Sequence, residues 1–424
     1  MRVLVLGSGA REHAMVWALA QSPSVETLFA APGNPGMAAS ATLLDLGLSD
    51  LEAVADAATE HGVDLTVVGP EAPLADGIGD VFASRGLRVF GPVAAAAELE
   101  ASKVFAKEFC LRHGIPTAAA ETVATADEAR RAAEGFGYPV VLKADGLAAG
   151  KGVLIVTSPA ELEAALDELF VARRFGSASD RVLVEECLVG TEVSFMVISD
   201  GTRWEAFATS HDYKRVGDGD SGPNTGGMGS HSPAFALSDE LRREIVATVI
   251  EPTIAGMAAE GREYRGILYA GLMLTADGPR VLEFNCRLGD PETQSVLRRL
   301  DGDLAEIFSD AADGHLTPGA MRWIDEPAAC VVLAAEGYPE SPRVGDEITG
   351  VDRAEGQAGV TVFHAGTRVD GSSLLTSGGR VLSVTAIGDD LADAVQRAYR
   401  AADEIVFAGA HRRSDIGADT LKQR

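Results

Sequence analysis

Lys143-Ala-Asp-Gly-Leu-Ala-Ala-Gly-Lys151-Gly152 joins two short apolar runs, Pro139–Lys143 and Val153–Val156. Runs of this length, closed by glycine, read as strands. The connection is therefore a Gly-rich hairpin, and it reads as a flexible lid. It is not a Walker A loop. That loop needs GxxxxGK[ST]; here the step from Gly146 to Gly150 is one residue short, and Gly152 replaces the hydroxyl that would meet magnesium. N–H groups of such a hairpin can wrap phosphates while Lys143 and Lys151 neutralise them. A plain surface hairpin is the alternative, and lysine usage weighs against it. Of 36 basic residues only Lys103, Lys107, Lys143, Lys151, Lys214 and Lys422 are lysine. Arginine carries the solvated positive charge, which leaves lysine where a compact point charge suits phosphate.

Upstream, residues 1–100 alternate strand and helix patterns. Val3–Leu6, Thr27–Ala30, Leu65–Val68 and Val89–Phe90 read as strands, and Arg11–Gln21 and Leu51–His61 as helices. Pro32–Gly36 reads as a turn. Alternation of this kind predicts a doubly wound parallel sheet with its ligand site at the carboxyl ends of the strands. Gly7-Ser8-Gly9-Ala10-Arg11-Glu12 follows the first strand and opens a helix, as a dinucleotide fingerprint would. Its third position is Glu12, and no acid closes the second strand, so NAD is disfavoured. A smaller phosphate at the helix N-terminus, or a ligand-free turn, remains.

Downstream, Lys103–Arg112 and Ala160–Leu169 read as helices and Val182–Glu185 as a strand. Together with the hairpin they form a compact α+β unit. Further strands are expected at Glu192–Ile198, Trp204–Ser210, 267–274 and 280–285, and a helix near 239–259. In Val281-Leu-Glu283-Phe-Asn285-Cys-Arg287, period two puts Glu283, Asn285 and Arg287 on one face. Oxygens of Glu and Asn suit Mg²⁺, and Arg287 can grip a carboxylate or phosphate. A half-exposed strand would show the same alternation. Residues 217–229 are so Gly-rich that the segment is either disordered or ordered around a ligand; Lys214 and Arg215 beside it favour a ligand. In Val184–Glu192 a strand leads into a short connector that could place backbone groups against an adenine edge and Glu192 against ribose hydroxyls. A third region follows residue 325, with strands at Ala328–Ala334, Val360–Ala365 and Val381–Ile387 and a helix at Leu391–Ile405.

The 424 residues suit two to four domains, and no apolar run approaches the ~20 residues that span a bilayer. MRVLVLGSGAREHA reads as a buried first strand rather than a signal peptide, so a cytoplasmic protein is expected. A net charge of −27 argues against nucleic acid and acidic membranes as partners. Cys110, Cys187, Cys286 and Cys330 are scattered and suit neither a zinc site nor a disulfide framework.

GSGAREHA (7–14), APGNPG (31–36), VVGPEAPL (67–74), KADGLAAGKGV (143–153), HDYKRVGDGDSGPNTGGMG (211–229) and EFNCRLGDPET (283–293) together resemble the phosphoribosylamine–glycine ligase family of the ATP-grasp superfamily. The resemblance runs the length of the chain. It implies a multidomain α/β protein: an N-terminal doubly wound sheet over 1–102, an ATP-grasp α+β core over 103–325 with a lid at about 122–190, and a small C-terminal α/β domain over 326–424. It implies ligation of glycine to 5-phosphoribosylamine with ATP as co-substrate, through glycyl phosphate, with Mg²⁺ or Mn²⁺, in a monomer. Carried over by position, Lys103, Lys143, Gly150 and Lys151 face the nucleotide phosphates. Glu185, Glu186 and Leu188 resemble the adenine side, and Glu192 the ribose ligand. Glu283 and Asn285 resemble the metal ligands. Asp212, Lys214 and Arg287 take the catalytic roles, with Gly289 and Asp290 on the glycine and acyl-phosphate side. Gly9, Ala10, Arg11, Glu12, Pro70 and Glu71 face phosphoribosylamine, and Asn224, Thr225, Gly226 and Gly227 complete the substrate set. Many ATP-grasp enzymes carry a second metal carboxylate on the preceding strand; here Gly266–Leu274 has no acid. Another ATP-grasp ligase, such as a phosphoribosyl-substrate carboxylase, and a nucleotide-binding regulatory module are the rival readings.

Overall fold

Val3, Leu4, Val5 and Leu6 are all fully buried, so this strand has protein on both faces. That is the environment of a parallel sheet between helices. The computed structural model, which describes residues 1–147, 152–234 and 237–422, shows that sheet. Its strands run in the order Thr42–Leu43, Thr27–Pro32, Arg2–Gly7, Leu65–Val68, Val89–Phe90, every neighbouring pair parallel. Strand Thr27–Pro32 continues into the expected turn, and a 3₁₀ turn follows at Pro35–Ala39. The segments Gly7–Glu12 and Gly69–Glu71 follow the carboxyl ends of two adjacent central strands.

The lid is a separate antiparallel sheet in the order Ala120–Val123, Val182–Glu186, Val140–Ala144, Val153–Val156. It has its own apolar core with helices Ala126–Phe136 and Pro159–Leu166. Below it lies a second antiparallel sheet, Trp204–Ala206, Thr191–Asp200, Arg265–Thr275, Gly278–Asn285. Gly271 faces Glu283 while Leu272 faces Val281, so Leu282 is the extra residue of a bulge. The strand ends at Asn285, which leaves Arg287 in the bend beyond it rather than on the strand face. The expected helix near 239–259 is two helices, Asp239–Ile245 and Glu251–Ala259, joined by a π turn at Val246–Ile250. Pro252 in the first turn of the second helix offers no N–H, which disrupts the regular ladder there.

The largest departure from expectation concerns residues 211–232. They form strand His211–Asp212, a hairpin of Arg215–Gly217 and Ser221–Asn224, and strand Gly229–Ser232. Gly229–Ser232 pairs with Ala328–Ala334, so the C-terminal sheet runs His211–Asp212, Gly229–Ser232, Ala328–Ala334, Arg380–Ile387, Val360–His364. The expected strand to Ser210 stops at Ala206. Helix Glu292–Leu297 is buried along its whole length, packed against strands of this sheet.

Candidate active site

Helix Lys103–Arg112 starts at Ser102, whose hydroxyl accepts from the Phe105 N–H at 3.0 Å and donates to Asp145 at 2.8 Å. The cap therefore pins the helix start to the first turn of the lid loop. Lys103 Nζ donates to the Gly146 carbonyl at 2.8 Å. On the neighbouring lid strand Lys143 Nζ lies 2.5 Å from Glu185 Oε2 and 2.8 Å from the Leu282 carbonyl, which the bulge leaves free. The other Glu185 oxygen takes Lys107 Nζ at 2.7 Å. The Glu185 carboxylate thus faces inward between two lysines. Glu186 accepts from the Ala119 N–H at 2.9 Å, and Leu188 is half-buried at the start of the open connector.

Across the cleft Lys214 pairs with Glu192 and lies 3.7 Å from Glu283 Oε1. Burial works to raise the pKa of Glu283, but Lys214, Lys143, Lys103 and Arg287 outweigh it and hold the carboxyl below its ordinary range. Burial works to lower that of Lys214, and Glu192 with Tyr269 and Glu283 raises it well above the ordinary lysine value. An ionised Glu283, with Asn285 two positions on along the strand, offers hard oxygen donors that suit Mg²⁺ with water and phosphate completing its shell. Among the described residues no group of three or more His, Cys, Asp or Glu forms an all-protein metal cage. Gly150 and Lys151 lie outside the described residues.

Asp212 sits beside Lys214, and its Oδ1 is buried with no hydrogen-bond partner among the described residues. Burial, reinforced by Glu292, pushes its pKa well above the ordinary value. Thr225 donates through N and Oγ1 to the Lys214 carbonyl, each at 2.8 Å, and its Oγ1 accepts from Gly227 N–H at 2.9 Å. The Asp290 carboxylate is held at 2.7 Å by Arg380 and at 2.7 Å by Gln294. Gly289 passes close over Glu292, where a Cβ would lie 2.5 Å from a carboxylate oxygen. Asn224 lines a cleft of about 420 Å³ between lid strand Val153–Val156 and Pro339–Glu340.

On the N-terminal side Glu12 is buried and accepts from Gly9 N–H and Arg11 Nε, both at 2.7 Å. Any side chain at Gly7 or Gly69 would collide with it. Glu12 therefore braces the turns after two adjacent strands, with Ala10 buried in the first turn of its helix. Arg287 is gripped by Glu71 at 3.2 Å and Glu100 at 3.1 Å. Pro70 precedes Glu71 at the start of a short helix. Sequence reasoning assigned no role to Glu100, Lys107, Glu292, Gln294, Tyr338 or Arg380. Only Lys107 carried a signal, as a lysine one turn after Lys103 in a lysine-poor chain.

Lys143 on one antiparallel sheet and Lys103 on the helix before it, opposed to a carboxylate strand on a second antiparallel sheet, are the ATP-grasp arrangement, and the protein is of that class. Family models for the N domain, the ATP-grasp (A) domain and the C domain of phosphoribosylglycinamide synthetase match residues 1–100, 101–293 and 328–419. The chain belongs to the phosphoribosylglycinamide synthetase family. It is 49% identical to the phosphoribosylamine–glycine ligase of Ralstonia nicotianae over 100% of both chains, and 48% identical to that of Escherichia coli O157:H7 over 98% of each. The solved phosphoribosylamine–glycine ligase of Thermotoga maritima superposes with a TM-score of 0.84 at 35% identity, covering 98% of this chain and 100% of that one. Biotin carboxylase from Campylobacter jejuni, at 17% identity over 97% of this chain and 92% of that one, shares the fold with a TM-score of 0.72.

Proposed function

We propose that the protein joins glycine to 5-phosphoribosylamine with ATP, giving glycinamide ribonucleotide, ADP and phosphate in purine biosynthesis. The observation that carries this is the meeting of Lys103, Lys143 and Lys214 with Glu283 between lid and core, in a chain that matches the family over its whole length. A carboxylate is a poor acyl donor, so the glycine carboxylate first attacks the γ-phosphate and becomes glycyl phosphate; the amine of phosphoribosylamine then displaces phosphate. The first step needs positioning and charge neutralisation rather than a nucleophilic side chain. Lys103 and Lys143, with Gly150 and Lys151 of the lid loop, take the phosphates, and Glu192 takes the ribose. Glu185 acts by holding Lys143, while Glu186 and Leu188 border the adenine. Glu283 and Asn285 would hold Mg²⁺ or Mn²⁺, which when bound neutralises phosphate oxygens. Lid closure keeps water from the acyl phosphate.

Asp212 takes the glycine ammonium, which supplies the partner its buried oxygen lacks. Lys214 stays an ammonium between Glu192 and Glu283 and holds both carboxylates toward the cleft, and Thr225, Gly226, Gly227, Gly289 and Asp290 wall the amino-acid site. Arg287, set by Glu71 and Glu100, orients the acyl-phosphate side. The turns braced by Glu12, with Gly9, Ala10, Arg11 and Pro70, receive the phosphoribosyl group, and Asn224 lies at the mouth. Among the described residues no helix is long and apolar enough to cross a membrane. We take the enzyme to be cytoplasmic and to act as a monomer without nucleic-acid or membrane partners.

The test mixes enzyme, Mg-ATP, glycine and freshly made phosphoribosylamine and looks for glycinamide ribonucleotide by mass. A folded, ATP-binding protein that makes no product would sink the reading.

A further inference from the structure

Arg380 opens strand Arg380–Ile387 of the C-terminal sheet and reaches two loops from other parts of the chain. Its Nη2 lies 2.7 Å from Asp290 Oδ2, and its Nη1 donates to the Asp290 carbonyl at 3.0 Å and to the Gly226 carbonyl. Tyr338, from the same C-terminal region, accepts from the Gly226 N–H at 2.9 Å. One planar fork thus ties the turn at Gly226–Gly227 to the turn at Asp290–Pro291. Only a guanidinium presents donors in that fixed plane; an ammonium could keep the ion pair but not both carbonyls.

The two turns close on Asp212. Gly227 has φ of +107°, and a Cβ there would lie 2.7 Å from Asp212 Oδ1, 3.2 Å from the Asp290 carbonyl oxygen and against Pro291 Cδ. Gly227 therefore packs directly against the carboxylate that lacks a partner, and Arg380 holds that turn in place.

We propose that Arg380 is a positioning residue that sets the width of the amino-acid pocket and so determines selection of glycine over amino acids with a side chain. This rests on the reading that Asp212 receives the glycine ammonium. Arg380 touches no reacting atom; it acts through Gly226–Gly227 and Asp290. With the fork lost, the turn at Gly226–Gly227 is free to move away from Asp212. The ammonium then loses its fit, and room for a methyl group opens.

The experiment compares full-length wild type, Arg380→Lys, Arg380→Ala and Tyr338→Phe with glycine and with alanine as substrates. Arg380→Lys is expected to raise KM for glycine by about tenfold, as small misplacements of a bound reactant do, while KM for ATP stays within about twofold. The ratio of kcat/KM for alanine to that for glycine is expected to rise about tenfold, and added guanidinium to restore part of the glycine KM in Arg380→Ala. Tyr338→Phe removes a single hydroxyl from Gly226 and is expected to shift KM for glycine in the same direction by less. Unchanged glycine KM and unchanged alanine discrimination in both variants would overturn the proposal. Parallel losses for ATP and glycine would do so too, because they mark general damage. Wild-type enzyme that makes no product from glycine would instead defeat the proposed reaction, and Asp212→Asn with an unchanged KM for glycine would defeat the reading of Asp212.

Discussion

Lys143 and Glu185 stand 2.5 Å apart on adjacent strands of the lid, and the same carboxylate holds Lys107 at 2.7 Å. All three side chains are buried. Removing the carboxylate would leave two buried ammonium groups facing each other. Glu185→Gln is expected to cost about 3 kcal/mol of stability, the usual order when one partner of a buried pair is removed, read by urea unfolding. It should also weaken ATP binding, read by titration calorimetry. Unaltered affinity would remove Glu185 as the holder of Lys143.

Glu283 is side-chain exposed by 39% and supports no core packing. Glu283→Ala is therefore expected to lower turnover by about a hundredfold or more while leaving the unfolding midpoint near wild type. Near-normal turnover would take Glu283 out of the metal site.

Asp212 has its pKa raised by burial and by Glu292, so in the free enzyme it favours the protonated form over a wider range than an ordinary aspartate. An arriving ammonium favours the ionised form. Glycine binding is thus expected to release a proton and to weaken as pH falls through the raised value. Calorimetry in buffers of different ionisation enthalpy measures the release. Asp212→Asn should abolish it and raise KM for glycine.

His13 and His364 meet where the first helix packs on the C-terminal sheet, with the His364 N–H donating to His13 Nδ1 at 2.8 Å. Burial, with His364 nearby, pushes His13 down to about 3, and burial pushes His364 down to about 4. Both values lie below the ordinary 6.5, so the unfolded chain binds these protons first. Their contribution is full above about pH 6.5 and is lost as pH falls toward about 4 and then 3. For two protons the slope approaches about 2.7 kcal/mol per pH unit. Denaturant unfolding between pH 6 and 4 should show His13→Gln with a distinctly shallower slope than wild type.

Elements with strong local periodicity were legible. Leu65–Val68, Lys103–Arg112, Val153–Val156 and Ala328–Ala334 begin and end where the residue pattern puts them. The strands at 211–232 were not, because they are short and Gly-rich. Strand Gly229–Ser232 also finds its partner about a hundred residues onward, beyond the reach of any local pattern. The site divides in the same way. Lys143 and the pair Glu283, Asn285 stand out as candidates by residue type and spacing, and Lys103 by the family resemblance. Glu100 and Arg380 matter through contacts across 187 and 90 residues, and nothing in their neighbours marks them; Gln294 reaches Asp290 only one helical turn away, but a lone glutamine carries no signal of its own. Arg287 lies two residues beyond the end of its strand, and alternation carries no notice of where pairing stops.

The junction of Gly229–Ser232 with Ala328–Ala334 also sets a calendar for biosynthesis. When the ribosome has released the residues that precede 328, the strand at 229–232 is complete but has nothing to pair with on that side, and its open edge invites other chains. Assembly around Asp212 and Lys214 waits for the last quarter of the protein to emerge. A gene split near residue 325 would therefore yield a longer first piece that is not a smaller working enzyme but an unfinished sheet.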